Sequence, residues 1–123
     1  MLPPLKIFSV QQDGDLLVVT PVGDATAFRY QDLQMEVNAL RSHIARGKAK
    51  HLVINLAQLN YFGSEFIGSL VSMLRDVRNR RGIACICEAT PQMLEVLQNM
   101  SLFKLWPYFA AQSEAVAHVQ AEG

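Results

Sequence analysis

The sequence predicts an α/β fold: a mixed sheet of four to five strands, opened by a hairpin, with about four helices packed against it. Three observations carry this expectation. Two runs rich in Val, Ile, Leu and Phe flank Asp13-Gly14-Asp15, and an Asp-Gly between such runs is a strong hairpin signal. Beyond them, apolar residues at helical spacing alternate with apolar runs too short to be helices. The 123 residues, 50% of them hydrophobic, are enough for one sizeable core, so residues 1–123 are read as a single domain.

Taken in order, Lys6 to Gln12 and Leu16 to Thr20 form the hairpin. From about Tyr30 to Ala45, the residues Leu33, Val37, Leu40 and Ile44 recur at steps of four, three and four, one stripe of an amphipathic helix that Gly47 ends. "HLVIN" is a continuous apolar run, best read as a central strand buried on both faces. After "AQLNYFG", the residues Ile67, Leu70, Val71, Leu74 and Val77 share one helical face. Arg78, Arg80 and Arg81 then precede Gly82, which puts cations at the negative end of the helix dipole and a glycine just past it. "IACIC" reads as another buried strand, and Thr90-Pro91 caps and opens a helix carrying Met93, Leu94, Val96 and Leu97. A short apolar segment, "LWPYF", precedes a last amphipathic helix from roughly Ser113 to Val119. Strands alternating with helices after a hairpin predict a sheet that is mostly parallel toward its middle.

Composition removes several classes of function. Eleven Lys and Arg balance eleven Asp and Glu, so the net charge offers no basic field for nucleic acid. The start, "MLPPLKIFSV", lacks the apolar stretch of a signal peptide, and no run approaches the roughly 18 apolar residues of a membrane span. A cytoplasmic protein is expected, with no membrane partner. Cys85 and Cys87 lie two apart on a strand, where both point to one face with their sulfurs poorly placed for a bridge; they are read as small core residues.

Catalytic constellations fail early. His43, His51 and His118 are scattered and form no metal-binding pair, and neither a Gly-x-x-x-x-Gly-Lys nor a Gly-x-Gly-x-x-Gly loop occurs. No catalytic residue, metal site or cofactor is expected, and the chain is read as no enzyme. The run "RDVRNRRG" is read as a solvated helix end rather than a nucleic-acid contact. What remains is the strand-loop-helix junction at Gly63-Ser64-Glu65. Functional loops of parallel sheets lie at the carboxyl ends of strands, and a helix start offers unpaired N–H groups. Capping by Ser64 and the dipole preference for Glu65 would alone account for both residues.

At this junction the chain resembles the STAS domain family, found in anti-sigma factor antagonists and sulfate transporters. The resemblance rests on "HLVINLAQLNYFGSEFIGSLVSMLRDVRNRRG" and "TPQMLEVLQNMSLFKLWPYF", and more loosely on Gly23-Asp24 after the second strand. In antagonist-type members the helix start reads Asp-Ser-Ser-Gly followed by Leu-Gly. An anti-sigma factor that is also a serine kinase phosphorylates the hydroxyl residue beside the motif glycine and thereby breaks the complex. Aligning Ile67-Gly68 with Leu-Gly puts Gly63 at the Asp position, Ser64 at the first hydroxyl, Glu65 at the phosphoacceptor and Phe66 at the glycine. Sliding the motif by one puts Ser64 at the phosphoacceptor but breaks the Leu-Gly register.

The resemblance therefore implies a bacterial protein-binding module that regulates transcription by partner switching. Its partner would be an anti-sigma factor of serine-kinase type or another STAS protein. The docking face it implies comprises Tyr61, Phe62, Gly63, Ser64, Glu65, Phe66, Gly68, Ser69 and Ser72, with Ser64 the phosphorylation candidate and Glu65 replacing the usual phosphoacceptor. The alternative is a constitutive scaffold or self-associating STAS protein without phosphorylation control.

Overall fold

The computed structural model describes residues 5–22, 30–59 and 64–123. Its elements follow the predicted order: β1 (Phe8–Asp13), β2 (Leu16–Pro21), α1 (Tyr30–Ala45), β3 (His51–Asn55), α2 (Ser64–Asn79), β4 (Ala84–Cys87), α3 (Pro91–Asn99), a 3-10 turn over Leu102–Lys104, β5 (Tyr108–Phe109) and α4 (Gln112–Glu122). The five strands form one sheet in sequence order. β1 pairs antiparallel with β2, and every later pairing is parallel. Gly23 and Asp24 lie outside the described residues.

The hairpin forms where the Asp-Gly signal placed it. Asp13 pairs with Leu16, which leaves Gly14 and Asp15 as a two-residue turn, and Gly14 supplies the positive φ of 62° that such a turn requires. Successive strand residues face opposite sides of the sheet. Leu17, Val19, Leu52, Ile54, Ala84 and Ile86 face the larger core beneath α1, α2 and α3. Leu16, Val18, Val53, Cys85 and Cys87 face the other way, against Ala115 and Val119 of α4. β3 is buried at every position, as its unbroken apolar run predicts.

The stripe of α1 is buried as read, but the same face carries Glu36, only 5% exposed. Its Oε2 accepts the backbone N–H of Lys6 at 3.0 Å, and its Oε1 accepts those of Ile7 and Phe8 at 2.9 and 3.2 Å. Hydrogen bonds to a charged acceptor contribute about 1.5–3 kcal/mol each. The opening strand is therefore tied to the helix that follows it.

Helix ends show one departure from expectation. Gly47, with φ 74°, closes α1: its N–H donates to Ile44 O, and that of Lys48 to His43 O. At the end of α2 the same pair of bonds forms, from Arg81 N–H to Arg78 O and from Gly82 N–H to Val77 O, but the left-handed residue is Arg81, φ 64°, rather than Gly82. Gly82 is required for another reason: a Cβ there would stand 1.8 Å from the carbonyl oxygen of Lys50. Thr90 caps α3 as predicted, its Oγ1 accepting the N–H of Met93 at 3.3 Å, while Val96 lies on the helix's outer face.

His51, 4% exposed, accepts the N–H of Ile83 on Nδ1 at 2.9 Å, which assigns its proton to Nε2. Burial pushes its pKa down, and Lys50 adds to this, while Asp15 opposes it. His43 is lowered too, by partial burial and by neighbouring Lys48 and Arg46.

Two outcomes follow from these contacts. In urea unfolding, Gly82→Ala should cost about 1–3 kcal/mol because the added methyl group meets backbone, whereas Gly68→Ala, at a helical position with open space around it, should stabilise by about 0.5–1 kcal/mol. The depressed histidines resist protonation in the folded state, so their contribution is complete above the unfolded pKa of about 6.5 and is lost as pH falls below it. Unfolding midpoints measured at pH 8 and pH 5 should therefore differ, and His51→Gln, which keeps an acceptor for Ile83 without titrating, should narrow that difference.

Candidate functional site

The carboxyl ends of β3 and β4 and the start of α2 share one end of the sheet, as strand-helix order requires. The strand ends there are held by side chains. Asn55 closes β3: its Oδ1 accepts the N–H of Ala57 and its Nδ2 donates to Gln112 Oε1, both at 2.8 Å. Glu88 follows β4 with φ 58°, a conformation that non-glycine residues rarely adopt, and its Oε2 accepts the N–H of Gln112 at 2.7 Å. Asn55, Glu88 and Gln112 thus join both strand ends to the first turn of α4. The only signal for this set in the sequence is an asparagine ending an apolar run; Glu88 and Gln112 have no local signature.

α2 opens at Ser64, and Tyr61, Phe62 and Gly63 lie outside the described residues. Glu65 is in the first turn and its side chain is exposed. The dipole at a helix start favours that negative charge by about 0.3–1 kcal/mol. Phe66, one residue on, is 3% exposed; its ring lies 5.8 Å from that of Phe8, centroid to centroid. The resemblance put Phe66 on the docking face; the structure packs its ring into the core instead, because it continues the apolar side of α2.

Gly68 is exposed, with nothing within 4 Å of where a Cβ would stand. Ser69 is buried and donates its hydroxyl to Glu65 O at 2.9 Å; Ser72, half-buried, donates to Gly68 O at 2.9 Å. Both hydroxyls are thus committed to the helix backbone. Glu65, Gly68 and Ser72, spaced three and four apart, share one side of α2. Along that side an exposed carboxylate is followed, one turn on, by a single position without a side chain.

Cys85 and Cys87 are free and fully buried against α4. Burial pushes their thiols up to about 11 and about 12, with Glu88 and Cys85 adding to the shift of Cys87. Burial thus disfavours the thiolate at neutral pH, in keeping with small core residues. Among the described residues no group of three His, Cys, Asp or Glu could hold a metal ion, and no helix is long and apolar enough to cross a membrane.

A family model, the STAS domain, matches residues 8–115. The anti-sigma F factor antagonist of Paenibacillus polymyxa is 22% identical over 77 residues, 63% of this chain and 66% of that protein, so the match spans just under two thirds of the relative. Among solved structures, the anti-sigma factor antagonist SpoIIAA in its unphosphorylated form aligns with a TM-score of 0.73 at 18% identity, over 92% of this chain and 97% of that one. An anti-sigma-factor antagonist (STAS) domain protein from Planctomyces limnophilus aligns at 0.74 and 21% identity, with the same coverage of 92% and 97%. At these identities the solved structures establish the fold.

Because the Phe66 ring is buried against Phe8, Phe66→Ala should lower stability by about 3–5 kcal/mol, read from denaturant unfolding. A surface role for the ring would leave the unfolding midpoint nearly unchanged.

Proposed function

The chain belongs to the STAS domain family, and from that premise we propose that it is a non-enzymatic protein-binding module of the anti-sigma factor antagonist type. It docks an anti-sigma factor of serine-kinase type through the start of α2. The observation that carries this reading is the exposed side of α2 at Glu65 and Gly68, one turn apart, at the carboxyl end of the parallel sheet. The missing side chain at Gly68 lets a partner's backbone approach the helix closely, and the fixed negative charge of Glu65 limits how tightly that partner is held.

Glu65 stands at the position of the family's phosphoacceptor. Phosphoserine carries about −1.5 to −2 charges and three acceptor oxygens; a carboxylate carries one charge and two oxygens. Glu65 is therefore a permanent, partial stand-in for the phosphorylated state. Under this reading the partner contact is set at a constant level rather than switched, and Ser64 is not the site of phosphate transfer.

The test uses the purified chain with an anti-sigma factor of serine-kinase type from the native cell. Gly68→Arg should weaken binding at least tenfold, and Glu65→Ser, which removes the stand-in charge, should tighten it by a similar factor, about 1.4 kcal/mol, in calorimetry or interferometry. With ATP present, mass spectrometry should find no phosphate on the wild-type chain and phosphate on Glu65→Ser. Binding indifferent to both substitutions would sink the docking face, and phosphate on wild-type Ser64 would shift the motif by one residue.

A further inference from the structure

The net charge of zero conceals a separation of charge along the sheet. β2 to β5 are parallel, so α1, α2, α3 and α4 each start at the carboxyl end of the sheet and run back toward the other. Acids occupy the first turns of three helices: Asp32 in α1, Glu65 in α2 and Glu114 in α4, all exposed. At the opposite end, eight of the eleven lysines and arginines lie within residues 41–50 and 75–81. These two segments meet: Gly82 packs on the Lys50 carbonyl, and the Arg80 guanidinium reaches Gly47. Arg41 is tied to Asp76 by bonds of 2.6 and 3.2 Å, while Arg46, Lys48, Lys50, Arg75, Arg78, Arg80 and Arg81 are exposed. Asp13 and Asp15 of the hairpin turn and Glu122 of α4 offset only part of this charge.

We infer that the basic end is an interaction surface for a second copy of this chain, presented acidic end first, so that copies stack head to tail. The chain carries both halves of the complementary pair. An open groove of about 420 Å³ between α1 and α2, whose lining includes the polar side chains of Asn38, Ser42, Asn79 and Arg80, opens within the basic region and can receive carboxylates. The two-bonded Arg41–Asp76 pair on its wall displays that chemistry inside one copy. None of the exposed large hydrophobic residues, Met35, Val96, Met100 and Leu105, lies in the basic segments, so these offer no apolar wedge for a bilayer and no aromatic platform for bases. A contact between unlike ends leaves both outer ends free, and association is therefore open, concentration-dependent and sensitive to salt.

The inference does not rest on the docking of an anti-sigma factor, and its test needs this chain alone. In sedimentation velocity at about 20 mM salt, where screening is weak, the average sedimentation coefficient should rise with concentration and fall back to the monomer value at about 300 mM. The triple variant Arg46→Glu, Arg78→Glu, Arg80→Glu and the double variant Asp32→Lys, Glu65→Lys should each stay monomeric, with circular dichroism confirming that both are folded. Mixed together they should associate again, since each then supplies the end the other lacks. A wild-type monomer at low salt overturns the inference, as does association that survives in either variant. Binding of heparin or anionic vesicles by a chain that stays monomeric would also overturn it, and would assign the basic end to polyanions.

Discussion

Glu36 accepts three consecutive backbone N–H groups from the segment that enters the sheet, and the candidate site depends on that arrangement. The N–H groups of Lys6, Ile7 and Phe8 all turn toward one carboxylate on the buried side of α1. Consecutive N–H groups form a natural concave site for an anion, here filled from within the chain. The segment so held delivers Phe8 to its place against Phe66, and Phe66 is the third residue of α2. The first turn of α2, which carries Glu65, thus rests on a ring whose position is set by a helix about thirty residues earlier in the chain. Breaking a buried carboxylate's bonds leaves N–H donors unpaired as well as a charge unsatisfied, so the loss would exceed the sum of the bonds.

Local signals account for most of the fold. The Asp-Gly turn, the stripe from Leu33 to Ile44, the unbroken run "HLVIN" and Thr90-Pro91 each specify an element within a few residues, and those elements formed with ends displaced by at most a few residues. What could not be read is what requires a distant partner. Glu36 breaks the polar-outside rule in a helix whose apolar stripe is otherwise regular, and its donors lie 28 to 30 residues away. Gly82 looks like a helix stop because glycine commonly ends helices; its actual constraint, the carbonyl of Lys50, belongs to another segment. Arg81 takes the left-handed conformation that the pattern assigned to its neighbour.

The candidate site divides in the same way. Its position at the end of a central parallel strand follows from element order and was legible, as was the resemblance carried by the letters around it. The distribution of roles within it was not. Spacing alone cannot tell whether Phe66 continues the stripe of Ile67 and Leu70 or projects from it, since the residue sits at the helix's first turn where the stripe begins. Ser69 and Ser72 belong to the docking face that the resemblance implies, yet both hydroxyls bond to carbonyls one turn back, the habit of serine inside helices. The polar set of Asn55, Glu88 and Gln112 joins residues up to 57 positions apart, and no window of sequence contains it.

The contact between Gly82 and Lys50 also sets how closely two segments can lie. Backbone meets backbone at that point, with no room for a side chain between the end of α2 and the start of β3. The helix is 16 residues long, a rod of about 24 Å at 1.5 Å per residue. Its two ends therefore rest on contacts of different kinds: an aromatic pair, Phe8 and Phe66, beside the first turn, and a bare backbone approach just past the last.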